Sequence, residues 1–356
     1  MNWHQDIQRQ QRHHRKLSEI NRKEIAAHNM DWSGFDPGTQ FQDPQHANSI
    51  DMDLFGPYSF FQYTCRASTA IGKEALAKML LAPAPTPELV ERQTAIGELK
   101  EKLDWRQNFQ AYGATASDQL EHVEILKEWL NDPVYVKDNK MLVLSMYIMP
   151  LWIALAIYLS VFHIPWQAGL LFLIFPGWIL KKYLDQVNET HLRTTNAEKM
   201  LSVYGKLMAH VEQGDFTSPR LVELRKQFVR NEKVASQAIN RLSYLIRQLN
   251  VRYNPFAILL NISMLWDLRY VRHLEIWKKE WRELMPQWFD ALKEFEALSS
   301  FGTLWYNNPD WVMPKIQEEQ QLNATALGHP LIAADKRITN DFHSPVTGHI
   351  KLVTGS

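Results

Sequence analysis

The chain has 356 residues, one cysteine (Cys65) and equal numbers of acidic and basic side chains, so its formal net charge is zero. One cysteine excludes an internal disulfide and fits a reducing compartment. The balanced charge gives no overall signature of a nucleic-acid partner, and the length allows two or three domains.

The first predicted element, residues 1–30, is a polar and basic helix. Its thin apolar face contains Ile7, Leu17, Ile20 and Ile25 among several Lys and Arg side chains. A basic helix of this kind can lie on an anionic membrane. A solvated helix that packs on a neighbour is an equally good interpretation. The segment has no apolar core, so we do not expect a secretory signal.

Turn signals at 31–52 precede two predicted helices joined by a proline turn. Ser68 or Thr69 is predicted to cap the first helix, which ends at the sequence APAP. Thr86 is predicted to cap the second, with Pro87 at the first helical position. A further short helix leads to an Asn-Asp-Pro break.

The run 141–180 contains no Asp, Glu, Lys or Arg. One helix needs about 20 apolar residues to cross a bilayer, so the run has room for two. The sequence HIPWQ (163–167) interrupts it near the middle. Four lysines flank it: Lys137, Lys140, Lys181 and Lys182. Since lysines on both flanks favour the cytoplasmic side, residues 137–184 are predicted to be a two-helix transmembrane hairpin with its tip at HIPWQ.

This hairpin implies an inner or plasma membrane location, a lipid bilayer as partner, and cytoplasmic termini and soluble parts. Trp152, Trp166, Trp178 and Tyr183 are placed as interface anchors. The alternative is a hairpin buried inside a large soluble protein, although soluble core helices seldom stay uncharged for so long.

Residues 185–320 are predicted to be packed helices, the last long one starting at Pro286. The uncharged run 254–266 is too short to cross a bilayer and is interpreted as buried core. We interpret three charged residues after it as local ion pairs: Asp267, Arg269 and Arg272. Glu294 and Glu296 are not expected to act as an acid/base pair, because such positions point apart on a helix.

Between residues 201 and 252, nine Lys or Arg stand against four Asp or Glu. This local excess suits phosphate or anionic lipid, and we take five residues as the candidate DNA-binding set: Arg220, Arg225, Lys226, Arg230 and Lys233. The alternative is a set of exposed faces of packed helices with an accidental bias.

The last segment, 321–356, differs in kind. Ile350, Leu352 and Val353 predict a buried strand that runs into the sequence Thr-Gly-Ser. A strand that delivers a glycine-rich turn is how a P-loop begins. No P-loop lysine follows, so we do not expect this chain as given to hydrolyse ATP by that mechanism. No Ser-His-Asp, Cys-His or zinc pattern is present either, and we predict no catalytic or metal-binding residues.

Several short motifs occur in a fixed order along the chain. They are DLFG (53–56), SFFQ (59–62), TAIG (69–72), an alanine-leucine helix, Pro83 and ERQ (91–93). Together they resemble the opening of the core domain of the MutS family, which includes the DNA mismatch-repair ATPases. The segment 295–301 is similar to the last core helix of that family. The segments 327–332 and 337–341 look like the start of its ATPase domain.

The resemblance implies an ATP-dependent DNA-binding protein, with ATP and Mg as cofactors of the complete protein, double-stranded DNA as partner and a homodimeric assembly. By position, Arg337 and Ile338 would lie against the adenine and Asn340 would shape that pocket. Three residues would start the phosphate loop: Thr354, Gly355 and Ser356. The hairpin lies where the outgoing lever would be, which suggests that a membrane anchor has replaced the DNA clamp or been spliced into it. The chain has no room for the mismatch-reading domain.

The expected fold class is therefore mainly α, a MutS-like helical core and lever interrupted by a two-helix transmembrane hairpin, with the first strands of a truncated α/β ATPase domain at the C-terminus. The expected domains are 1–30, 31–136, 137–184, 185–320 and 321–356. The alternative function is a non-enzymatic, membrane-anchored helical scaffold or dimerisation module. A two-span channel is a third option, since the only ionisable residue of the uncharged run is His163, at the turn.

Overall fold

A computed structural model describes residues 2–115, 120–230, 233–316 and 321–345. The chain is mainly helical, which confirms the predicted fold class at that level. The helices before the apolar run are α1 Asn2–His28, α2 Phe60–Thr64, α3 Ala70–Leu81, α4 Thr86–Glu101, α5 Leu103–Gly113 and α6 Leu120–Asn131. Those of the apolar run are α7 Lys140–Phe162, α8 Trp166–Gly169 and α9 Ile174–Lys182.

The remaining helices follow in close succession. They are α10 Leu184–Thr194, α11 Ala197–Glu212, α12 Pro219–Phe228, α13 Ala235–Leu249, α14 Ala257–Met264, α15 Trp266–Trp281 and α16 Met285–Asn307. The strands are β1 Val229–Arg230, β2 Lys233–Val234, β3 Gln321–Leu327 and β4 Asn340–Pro345. Short 3₁₀ turns occupy Thr39–Phe41, Leu170–Leu173 and Asn250–Tyr253.

Local signals set several helix ends where the sequence placed them. Thr69 caps α3, because its hydroxyl accepts a hydrogen bond from the Gly72 amide at 3.1 Å. The other predicted cap differs: Thr86 is the first residue of α4, and the residue before it, Pro85, makes no side-chain cap. The fixed φ of Pro87 in the first turn suits the start of a helix without any cap.

The main core joins the segments on either side of the apolar run. Leu126 and Trp129 in α6 belong to the same buried cluster as Leu201 in α11, Leu242 in α13 and Leu292 in α16. The parts of the chain before and after the run therefore pack as one helical unit, called here the body (α2–α6 and α10–α16).

A second, smaller core gathers residues of the MutS-like motifs. Leu54, Phe55 and Phe61 pack with Leu76 of α3 and with Ala297 of α16. Segments far apart in the sequence thus meet because α16 lies along both α3 and α4.

The N-terminal helix packs on the body. Ile20 and Ala27 are buried, and the His13 ring stacks on Tyr112 of α5 with centroids 4.6 Å apart. Arg66, itself buried, donates from Nε to Glu24 Oε1 at 2.5 Å. The helix therefore packs on a neighbour, as one of its two interpretations predicted.

The two strands near the C-terminus form an antiparallel hairpin. Gln321 pairs with Pro345, Ala324 with Phe342 and Leu327 with Asn340 across an irregular step. The predicted buried strand at 350–353 lies outside the described residues.

Candidate membrane interface

Helix α7 carries a dense row of exposed apolar side chains. They are Met141, Leu144, Tyr147, Ile148, Leu151, Leu155, Ile157, Tyr158, Val161 and Phe162. Its 23 residues reach about 34 Å at 1.5 Å per residue, which exceeds the roughly 30 Å of a hydrocarbon core. Among the described helices it is the one long and apolar enough to cross a membrane, and only 22% of its apolar window is buried.

The prediction of a second spanning helix is wrong. Residues 166–182, called here the return limb, are divided into α8, a 3₁₀ turn and α9, and none of these pieces is by itself long enough to cross. Gly169, where α8 ends, lies so close to Ser160 that a Cβ there would sit 2.0 Å from the hydroxyl oxygen. Pro176 lies in α9 and has no amide hydrogen to donate. The proline favours short helical pieces over one helix, and the glycine lets the return limb pack closely on α7.

The return limb nevertheless runs back along α7. Near the base, Asn139 Nδ2 donates to Tyr183 Oη at 2.9 Å. Halfway up, Trp152 Nε1 donates to the Phe172 carbonyl at 3.0 Å. Trp152, predicted as an interface anchor, therefore lies between the limbs, and residues 139 and 183 meet at the same end.

The base of α7 and the end of α9 pack into the body. Leu142, Met146 and Met149 of α7 and Ile179 of α9 are buried members of the main core. On the opposite side of the base, the buried Glu275 accepts hydrogen bonds from the backbone amides of residues 135, 136 and 137 at 2.6 to 3.1 Å. This carboxylate fixes the segment that leads into α7.

Lys278, one turn further along α15, holds the preceding turn. Its ammonium donates to the Trp129 and Asp132 carbonyls at 3.0 and 2.9 Å. Burial lowers the pKa of Lys278 from its ordinary value. Nothing in the sequence pattern signalled Lys278 or Glu275, because both look like ordinary charges on an amphipathic helix.

The interpretation of the uncharged run 254–266 as buried core is wrong for its outer face. Phe256, Ile258 and Leu259 are mostly exposed, while Ala257 and Leu265 are buried. The length argument correctly excluded a spanning helix, but hydrophobicity alone does not distinguish a core helix from one with an apolar outer face.

The predicted ion pairs beside this run are present only in part. Asp267 lies 3.6 Å from Arg252, and burial raises the pKa of Asp267. Among the described residues, Arg269 and Arg272 have no carboxylate partner, so the prediction is wrong for them. Arg269 instead donates from Nη2 to the Met146 carbonyl of α7 at 2.7 Å.

Glu294 and Glu296 are bound by different parts of the body, as their positions on the helix predicted. Glu296 accepts from the Ser68 and Thr69 amides at 2.8 and 3.1 Å and from the Thr69 hydroxyl. Glu294 accepts hydrogen bonds from Nε and Nη2 of Arg220, at 2.7 and 2.6 Å.

The candidate DNA-binding residues differ in their surroundings. Arg220 is paired with Glu294 and Glu223, and the Glu294 carboxylate raises its pKa. Arg225 donates to the Glu212 carbonyl at 3.0 Å, and Lys226 is exposed. The last two residues of the set pair through their backbones, Arg230 opposite Lys233.

The candidate nucleotide-binding residues lie partly in the C-terminal hairpin. Arg337 donates to the Ile332 and Pro330 carbonyls and lies over the Trp311 ring, Ile338 is exposed, and Asn340 begins β4. Thr354, Gly355 and Ser356 are outside the described residues. The described part of the hairpin contains no phosphate-binding loop.

Within the part of the chain that the structure describes, no group of three or more His, Cys, Asp or Glu could hold a metal ion. No protein-family model, curated protein or solved structure matches the chain. The MutS resemblance therefore stays a prediction that rests on the motifs.

Proposed function

We propose that this chain is a membrane-anchored helical protein in which α7 crosses the bilayer and the body stays on one side. The observation that carries the proposal is the exposed apolar face of α7. Burying one Val, Leu, Ile, Phe or Met side chain is worth about 1.5 to 3 kcal/mol. Eight of the ten exposed side chains of α7 are of these types and two are tyrosines, so the helix is far more stable in a hydrocarbon phase than in water.

The orientation follows from the ends of the hairpin. Asn139 and Tyr183 meet at one end. In this proposal the return limb therefore recrosses the bilayer as consecutive short helical pieces packed on α7, and the chain leaves the membrane on the side where it entered. The flanking lysines Lys137, Lys140, Lys181 and Lys182 favour the cytoplasmic side for that end. The body is therefore cytoplasmic and the HIPWQ turn faces the other compartment.

Single-cysteine labelling tests this topology. The native Cys65 is buried, and burial raises the pKa of its thiol to about 12, so the wild-type background is low. Asp138→Cys reports the base and Gln167→Cys reports the turn; both positions are exposed. In intact cells an impermeant maleimide is expected to label only Gln167→Cys, and permeabilisation is expected to expose Asp138→Cys. Labelling of Gln167→Cys only after permeabilisation would overturn the topology.

As the finer function we propose an ATP-dependent DNA-binding protein of MutS type. Its support is the set of motifs together with their packing: residues of DLFG, SFFQ and the 295–301 segment share the small core. The C-terminal hairpin adds support, since it follows the last core helix where the resemblance puts the start of an ATPase domain. ATP with Mg, duplex DNA and a second copy of the chain are the partners that this proposal implies.

Salt titration of DNA binding tests this second proposal. For a protein that neutralises phosphates, log K falls linearly with log salt, with a slope of about −0.9 per phosphate contact. We expect salt-sensitive binding of duplex DNA by the detergent-solubilised protein, with a shallower slope for Lys226→Gln. Lys315→Gln, a lysine outside the candidate set, serves as control. Binding that is absent or indifferent to salt would leave the non-enzymatic membrane scaffold as the function.

A further inference from the structure

The connection between α13 and α15 forms a second apolar surface outside α7 and the return limb. Residues 253–266 contain no charged side chain. Tyr253, Phe256, Ile258 and Leu259 are between 64% and 74% exposed. Isolated apolar residues on a surface are ordinary, but a contiguous patch of large ones marks an interaction site.

The patch is held rigidly in place. Asn254 Oδ1 accepts from the Phe256 amide at 3.0 Å at the start of α14. At its end, Asn261 Oδ1 accepts from the Asp267 amide at 2.9 Å, and the buried Leu265 adopts a left-handed conformation with φ 50°. These contacts define both ends of α14 and orient its outer face away from the body.

The position of α14 along α7 indicates how deep α14 would lie in the proposed bilayer. The helix packs against both α7 and α9. Just after α14, Arg269 donates to the Met146 carbonyl of α7. Met146 lies six residues beyond Lys140, which is about 9 Å along the helix at 1.5 Å per residue. Amphipathic helices that lie in a membrane interface sit about 5 to 10 Å into the headgroup boundary. With its 8 residues α14 cannot cross the hydrocarbon core, so it fits this boundary.

The charges nearby favour an anionic membrane surface. Arg269 and Arg272 lie in the first two turns of α15, directly after α14, and Arg269 reaches the Met146 carbonyl of α7. Among the described residues neither arginine forms an ion pair with a carboxylate. Uncompensated guanidinium groups beside an apolar patch match phospholipid phosphates above acyl chains.

We propose that α14 is an interfacial helix that inserts Phe256, Ile258 and Leu259 into the cytosolic leaflet of a bilayer containing anionic phospholipids. The proposal rests on the membrane anchor proposed above and adds a contact that α7 does not require. The protein then meets the membrane along two elements, which fixes the rotation of the body as well as its distance from the bilayer.

Single-cysteine depth measurements in proteoliposomes test the proposal. An environment-sensitive fluorophore is attached to Leu259→Cys in α14, to Leu151→Cys in the middle of α7 and to Val90→Cys on the far exposed surface of α4. The vesicles contain phosphatidylcholine and phosphatidylglycerol, with nitroxides placed near the headgroup or deep in the acyl chains. Unchanged unfolding midpoints show that the three variants fold, and the wild type measures the background from Cys65.

We expect the label at 259 to be blue-shifted and quenched more by the shallow nitroxide, the label at 151 to be quenched more by the deep one, and the label at 90 to stay aqueous. An aqueous label at 259 beside a buried label at 151 would overturn this proposal alone. Aqueous labels at both positions would overturn the membrane anchor with it. A label at 259 that is shielded but not quenched by either lipid would identify a covering protein, such as a second copy, and would also overturn it.

Discussion

Thr69 shows how much one side chain can carry in this fold. Its hydroxyl caps α3 and also donates to the buried Glu296. Thr69→Ala removes the cap, worth about 1 kcal/mol, and leaves the carboxylate with one donor fewer. We expect a total loss of about 2 to 3 kcal/mol in the free energy of unfolding, measured by denaturant titration in detergent micelles.

Thr86→Ala is the matched control, because the same sequence logic predicted a cap there and the structure has none. We expect its effect to stay within about 0.5 kcal/mol. Equal losses for the two variants would contradict the assigned role of Thr69.

His210 makes the stability depend on pH. Its ring stacks on Trp105 with centroids 5.0 Å apart, and burial lowers its pKa below the ordinary value of 6.5. Below about pH 6.5, His210 is protonated in the unfolded chain but stays neutral in the folded chain. The free energy of unfolding therefore falls as the pH falls. The slope for one group is at most about 1.4 kcal/mol per pH unit.

His210→Phe keeps a ring in the stack and removes the titration. Unfolding free energies measured from pH 7.5 to 5.5 are expected to fall less steeply for this variant than for the wild type. The other histidines with lowered pKa, His191 and His273, are present in both proteins and cancel in the comparison. His14→Gln, at an exposed position, should leave the slope unchanged; parallel curves for wild type and His210→Phe would refute the assignment.

At the scale of the elements, the sequence predicted those whose signals are local. The long uncharged run and the cap at Thr69 each depend on neighbours in the chain, and both were located correctly. The close packing of the return limb on α7 depends on contacts such as Gly169 against Ser160, which no local pattern encodes. The exposed face of α14 and the amide clamp of Glu275 were missed for the same reason.

A single arginine introduced into the middle of α7 tests whether this helix spans the membrane. Leu151 is near its middle and 71% exposed. An arginine at the centre of a transmembrane helix costs roughly 2.5 to 3.5 kcal/mol on insertion scales. Leu151→Arg is therefore expected to lower the fraction of protein that resists alkaline extraction from membranes. Val90→Arg, at an exposed apolar position of α4, should not; equal retention of both variants would argue against a spanning α7.

The whole molecule is organised by the way its anchor joins the body. The residues around the apolar run share one core, and one face of the first turns of α7 packs against it while the other face, with Leu144 and Ile148, stays exposed. A flexible tether would let the body rotate freely above the membrane. In the proposed membrane-anchored arrangement, an anchor packed on the core transmits its orientation to the body, so a partner bound to the body would meet the membrane at a fixed angle.

Two leucines two positions apart distinguish these arrangements. Leu142 is buried in the main core, whereas Leu144 is 52% exposed. If the anchor is part of the core, Leu142→Ala should cost about 2 to 5 kcal/mol of unfolding free energy, as large-to-small core substitutions do. Leu144→Ala removes the same atoms from a side chain that contacts lipid or detergent and should cost far less. Because the unfolding signal comes mainly from the body, similar small effects for both variants would mean that the anchor hangs from the body as a separate unit.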